Sequence, residues 1–182
     1  MKKSSKLIAA AFTFAVLFFA SNVKAQTTTA PSQWRLGVGL EAGIPTGAAN
    51  NFSNFELGGT ARLQYDASAH FAWTLTSGYY NMFGKDVSVP TASGTITAKA
   101  ADLGIVPVKL GIKTFFASNL YFGAEAGAGF ETNTGGSTKL ILAPTLGFAN
   151  KTWDVGVRYE NFSGQSNNFG LVGLRLAYAF AL

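Results

Sequence analysis

The sequence contains no cysteine and a single histidine, His70, among 182 residues. Without thiols, neither a disulfide framework nor a thiolate metal site can form. One histidine with no cysteine leaves a dedicated transition-metal site poorly supported. Charge is scarce as well: Asp, Glu, Lys and Arg make up 13% of the chain, against 48% hydrophobic residues. A soluble globular domain carries about 25% charged residues, so the low value fits an apolar setting better than water. Beyond residues 1–25 no run of about 18 apolar residues occurs, so no transmembrane helix is available there.

Residues 1–25 read as a cleavable signal peptide. Lys2, Lys3 and Lys6 form a basic start, Leu7 to Ala20 is apolar and small, and Val23-Lys24-Ala25 supplies the small-x-small cleavage pattern. A membrane anchor would need roughly 20 apolar residues, and this run is shorter. The expectation is an exported mature chain, residues 26–182, forming one domain. The leader takes Lys2, Lys3, Lys6 and Lys24 with it, so the 14 basic residues fall to ten against nine acids, a net charge of +1. The overall pI of about 9.5 therefore describes mostly the leader. No basic patch for nucleic acid survives.

What the chain has instead is alternation. In residues 172–182, Val172, Leu174, Leu176, Tyr178, Phe180 and Leu182 fall on one face, and Gly173, Arg175, Ala177, Ala179 and Ala181 on the other. Successive strand side chains point to opposite faces, so this is a strand with large apolar residues on one side and small or charged ones on the other. Seven more such segments are predicted, at about 34–44, 55–66, 70–80, 99–116, 120–130, 138–149 and 153–161. Each approaches or exceeds the roughly 9–11 residues of a tilted transmembrane strand.

The charges separate these faces. Outward sets such as Trp34, Leu36, Val38, Leu40, Ala42 and Ile44 hold no charged residue. The opposite faces hold Arg35, Glu41, Glu56, Arg62, Lys109, Lys113, Glu125, Lys139, Asp154, Arg158, Glu160 and Arg175. A cation at the lipid midplane costs about 2–4 kcal/mol, so a lipid-facing surface should exclude charge. The pattern predicts an all-β fold, an eight-stranded antiparallel up-and-down transmembrane β-barrel.

The connections alternate in length. Tight turns at 66–69, 117–119 and 150–152 contrast with longer loops at 45–54, 81–98, 131–137 and 162–168, the pattern of periplasmic turns and extracellular loops. Trp34, Tyr65, Phe71, Trp73, Phe148, Trp153, Tyr178 and Phe180 gather near the turn ends, and Phe55, Tyr79, Phe130 and Tyr159 near the loop ends, as interfacial girdles would. Pro107 and Pro144 each remove a ladder donor inside a strand. Bulges are expected beside both, and the alternation slips by one around 100–105, consistent with a bulge before Pro107.

The stretch Asp102-Leu-Gly-Ile-Val-Pro-Val-Lys-Leu-Gly-Ile-Lys113, followed by Asn119-Leu-Tyr-Phe-Gly-Ala-Glu-Ala-Gly-Ala-Gly-Phe130, resembles the central hairpin of small outer-membrane β-barrel proteins of Bacteroidetes, the PorT-like group. The likeness in motif covers about 25 residues, and in overall size the chain is also similar to the OmpA and OmpX barrels. It implies an outer-membrane barrel and admits an accessory role in protein secretion.

An eight-stranded barrel is just wide enough for side chains to fill it. So many charges in a narrow lumen must pair, since an unpaired buried charge is expensive. A structural network is therefore preferred over an ion pathway. Enzymes exist among small barrels, but a Ser/His/acid site needs a histidine within reach of the nucleophile. His70 sits beside a periplasmic turn, where a solvated residue is the simpler reading. No catalytic, metal or cofactor site is expected, and the chain is read as non-enzymatic. A soluble ligand-binding barrel of the lipocalin type would turn its apolar face inward; here the inward set of Gly, Ala, Arg and Glu leaves no apolar cavity.

Three functions remain at this stage: a structural or surface-interaction barrel, a narrow solute channel, and a PorT-like secretion accessory. Expected partners are outer-membrane lipid, the export and barrel-assembly machinery during biogenesis, and a surface partner for loop 81–98. The expected state is a monomer in the bacterial outer membrane.

Overall fold

Large apolar residues on one strand face and charged residues on the other leave both faces in need of an environment, and the chain resolves this by closing the sheet on itself. The computed structural model describes residues 34–91, 94–164 and 168–182. The predicted signal peptide, residues 1–25, lies outside the described residues. Ten strands run in chain order among them: β1 (Trp34–Gly47), β2 (Ser53–Ser68), β3 (Phe71–Gly84), β4 (Asp86–Thr91), β5 (Gly94–Lys99), β6 (Leu103–Phe115), β7 (Leu120–Glu131), β8 (Thr138–Ala149), β9 (Trp153–Ser163) and β10 (Phe169–Ala181). Eight of them form a closed antiparallel barrel in the order β1-β10-β9-β8-β7-β6-β3-β2, and β4 and β5 pair with each other as a separate ribbon. Closure is made by β1 on β10, from Arg35 opposite Ala181 to Gly47 opposite Phe169. No sheet edge is left in the barrel, which is the condition for strands to cross a bilayer.

The outer face carries the predicted residues. Leu40, Leu110, Leu146, Val157 and Leu174 point away from the barrel and are exposed, and so are Trp34, Trp73, Phe148, Trp153, Tyr178 and Phe180 at the turn end. The turn-end aromatics touch one another across strands, Trp34 with Tyr65 at 4.8 Å and Trp153 edge-on to Tyr178 at 5.2 Å. At the loop end Phe55 stacks on Phe83 at 6.2 Å.

Three expectations about the strands are corrected. Segment 81–98 is not a simple loop: β3 continues to Gly84 and the rest forms the β4–β5 ribbon, with Asp86 opposite Lys99. The alternation in β6 does not slip, because Leu103, Ile105, Pro107 and Lys109 all share the inward parity. The apparent break arose from apolar residues facing inward where charged ones were expected. Neither proline sits at a bulge. The β7–β8 register runs unbroken through Ala124 opposite Pro144, and the β6–β7 register through Pro107 opposite Gly129. Each proline turns its missing donor toward one neighbour only, so a bridge lapses there while the register is kept on both sides. The register shifts lie at the two ends of β2 against β3, between Ser53 and Phe55 and between Asp66 and Ser68.

The interior has two layers. Toward the loop end Tyr80, Met82, Ile105, Ile141, Phe162, Phe169 and Leu171 pack into an apolar cluster with Ala49 and Ala143, and Phe52 and Leu103 lie against it. Ala49 belongs to a short 3-10 turn, Ala48–Asn51. Phe162 and Phe169 stack at 4.7 Å, their strands being paired at that position. This apolar layer contradicts the expected inward set of Gly, Ala, Arg and Glu. Below it, toward the turns, the lumen is charged.

Candidate functional site

Inward parity alone brings the charged side chains to a common axis, because every second residue of each barrel strand points there. Nine of them form one continuous chain of alternating sign. Lys113 on β6 meets Asp154 on β9 at 2.7 Å, and Arg62 on β2 meets the same carboxylate at 3.4 Å. Arg62 also reaches Glu125 on β7 at 3.0 Å, and Glu125 lies 3.6 Å from Lys109. Lys109 is bonded to Glu160, which lies 3.3 Å from Arg158, its neighbour two positions away on β9. Arg158 meets Glu41 on β1 at 2.8 Å, and Glu41 has Arg175 on β10 at 3.8 Å. The chain thus links six strands through the lumen.

Neutral side chains complete it. Tyr80 on β3 is a hub: its hydroxyl accepts from Arg158 Nη2 at 2.9 Å and Lys109 Nζ at 3.0 Å, and faces Glu160 at 3.5 Å. Tyr121 donates to Asp154 at 2.7 Å and carries Lys113 Nζ 4.0 Å above its ring. Thr76 accepts from Arg62 and donates to Glu125, at 2.9 and 2.6 Å, while Thr60 donates to Glu41 at 2.7 Å. None of Tyr80, Tyr121, Thr76 and Thr60 was among the residues singled out in the sequence. The available signal was parity, since each shares its strand's inward face with a charged residue or falls opposite the outward set.

Three sequence-predicted residues stand apart from this chain. Arg35 lies at the turn-end rim, 27% exposed, paired with Asp66 at 3.0 Å and donating to the Asn150 carbonyl. Lys139 lies at the loop end, 4.0 Å from Glu131. Glu56 is fully buried beneath the apolar layer, and neither of its carboxylate oxygens meets a hydrogen-bonding partner among the described residues. Toward the turn end, Arg35, Gly37, Arg62, Gln64, Asp154, Arg175, Ala177 and Ala179 surround a cavity of about 20 Å³, room for roughly one water-sized particle.

Outside the barrel the loop end is tied by polar contacts. Asp102 accepts from the Gly84 amide at 2.9 Å and from Asn81 at 3.4 Å, and these bonds hold its carboxyl below the usual carboxylate range. Asn133 donates to the Asp102 carbonyl and accepts from Gly104. The β4–β5 ribbon stands clear of the barrel; Ser88 bonds Thr97 across it at 2.8 Å, and Ile96 is 62% exposed. His70 is exposed in the β2–β3 turn, its amide bonded to Ser68. Among the described residues no group of three His, Cys, Asp or Glu side chains is placed to hold a metal.

No protein-family profile matches the chain, and no curated protein sequence does. Solved structures do. The crystal structure of Ail, the attachment invasion locus protein of Yersinia pestis, aligns with a TM-score of 0.54 at 14% identity over 81% of this chain and 97% of Ail. Ail in a phospholipid bilayer nanodisc aligns with a TM-score of 0.51 at 14% identity, over 79% of this chain and 99% of that one. A de novo designed transmembrane β-barrel aligns at 0.50 with 16% identity, over 84% and 98% of the two chains. At such identities the likeness is one of fold: this chain has the fold of the small outer-membrane β-barrel proteins.

Proposed function

We propose that this chain is an integral outer-membrane protein with a closed lumen, acting without catalysis as a structural or surface-interaction barrel. The observation that supports it is the filling of the interior. A nine-membered ion-pair chain and an apolar layer stand one above the other across the lumen. A solute would have to break several buried ion pairs to pass, each break stranding a charge at about 3–5 kcal/mol. The charge-free outer face supports residence in lipid, and residues 1–25 support export with cleavage of a leader. The start of β1 and the end of β10 then lie on the periplasmic side, and the β4–β5 ribbon with the longer loops faces outward. A monomer in lipid, delivered by the export and barrel-assembly machinery, suffices for this arrangement, and the ribbon is the part offered to a surface partner.

Ail has been crystallised with the heparin analogue sucrose octasulfate. That ligand is not carried over, because the loop end here mixes Lys85 and Lys99 with Asp86, Asp102 and Glu131 and builds no basic face. The narrower PorT-like reading rests on the β6–β7 hairpin residues alone; deletion of the gene would leave secretion cargo in the periplasm if it holds. For the closed barrel, the test is planar-bilayer recording. Purified protein should give no current above background, and steady ohmic steps that scale with protein would overturn the closed lumen.

A further inference from the structure

The ion-pair chain is unbalanced at one end. It contains five cations, Lys113, Arg62, Lys109, Arg158 and Arg175, and four anions, Asp154, Glu125, Glu160 and Glu41. The surplus falls on Arg175. Its guanidinium is 2% exposed, its one charged partner among the described residues is Glu41 at 3.8 Å, and Glu41 is already engaged by Arg158 at 2.8 Å and Thr60 at 2.7 Å. Arg175 Nε and Nη1 donate no hydrogen bond to any described residue. Glu56 cannot serve as the missing counter-charge. It lies opposite Gly43 on β1, on the loop side of Glu41, whereas Arg175 lines the cavity on the turn side.

That cavity is lined by Arg35, Arg62 and Arg175, and the side-chain acceptors on its wall, Asp154 and Gln64, are engaged. Asp154 is taken by Lys113, Tyr121 and Arg62, and Gln64 donates to Asp66 at 2.6 Å while its oxygen faces Lys113. A site beside surplus positive charge, with its side-chain acceptors engaged, selects an anion over water, because a neutral water leaves the charge uncompensated. Its volume, about 20 Å³, admits a particle near the size of one water. Arg35, at the periplasmic rim, gives a polar way in. We propose that the cavity between Arg175, Arg62 and Gly37 is a binding site for one small monovalent anion of the halide class, entering from the turn end of the barrel.

The test is the line width of chloride NMR on the refolded barrel in detergent, with empty micelles as the reference. Expected are excess broadening with the barrel, its removal by competing bromide, and no competition from sulfate, a larger, divalent and more strongly hydrated anion. Arg175→Met should bring the width down to the empty-micelle value. Gly37→Val provides a second variant that keeps every charge: a Cβ at Gly37 would stand 3.8 Å from Arg175 Nη2 and the Arg62 and Tyr178 carbonyls, so a side chain there fits and fills the site. Folding of both is checked by heat-modifiable gel migration. The proposal is overturned if the barrel broadens the line no more than micelles do, if sulfate competes as well as bromide, or if folded Gly37→Val broadens as the parent does.

Discussion

At the scale of single residues, the lumen sets the cost of a substitution by who is left behind. Glu125 stands between Arg62 at 3.0 Å and Lys109 at 3.6 Å. Glu125→Ala leaves these two cations facing each other in a buried space, and we expect a loss of about 3–5 kcal/mol in urea unfolding of the barrel in lipid vesicles. Glu56 is equally buried, yet meets no hydrogen-bonding partner among the described residues. Glu56→Gln keeps the side-chain shape and breaks no hydrogen bond to a described residue, so the same measurement should show stability unchanged or raised. Glycine positions divide in the same way. A Cβ at Gly127 would stand 2.0 Å from the Val108 carbonyl, whereas one at Gly59 would meet only the Gly39 carbonyl at 4.0 Å. Gly127→Ala should therefore cost about 1–3 kcal/mol through displaced backbone, and Gly59→Ala should be neutral or stabilising by about 0.4–1 kcal/mol. Both values come from the same unfolding curves. The inward acids and bases were readable from parity in the sequence. Their pairing was not, since partners such as Arg62 and Asp154 are separated by 92 positions and meet only across the closed barrel.

At the scale of elements, exposure alone does not say what an outward side chain faces. Leu110 in β6 and Ile96 in β5 are 67% and 62% exposed. Leu110 belongs to the charge-free band of the barrel and Ile96 to the ribbon beyond it. Leu110→Lys is expected to cost about 2–4 kcal/mol, and Ile96→Lys within about 0.5 kcal/mol. Equal costs for the two in vesicle unfolding would mean that the band does not face lipid. Strand existence was legible because a period of two persisted for nine residues or more in each barrel strand. Strand ends were not. The continuations of β3 to Gly84 and of β10 back to Phe169 carry Met82, Leu171 and Phe169 inward, where the charge-based criterion for the inner face no longer applied. The two prolines misled for a related reason: a missing donor disturbs one neighbouring strand, and sequence does not tell which neighbour can do without the bond.

At the scale of the whole molecule, the barrel and the β4–β5 ribbon are joined at a point the backbone has already closed. The Ala100 amide donates to the Lys85 carbonyl at 2.9 Å, and the Lys85 amide to Phe52. Removal of residues 86–99 with Lys85 joined to Ala100 is expected to leave a barrel that still shows heat-modifiable migration and partitions with outer membranes; failure to fold would make the ribbon part of the barrel's stability. The barrel fold itself is written in composition and alternation. Few charges, no cysteine and eight segments with charge confined to one face leave the closed antiparallel sheet as the arrangement that satisfies backbone and side chains together. Alternation is local, so the chain alone determined which residues face outward and which face in. Closure is global, and only the tertiary structure decided which inward residues meet: the apolar layer under the loops, the order of the ion-pair chain, Glu56 without a hydrogen-bonding partner among the described residues, and Arg175 beside a cavity.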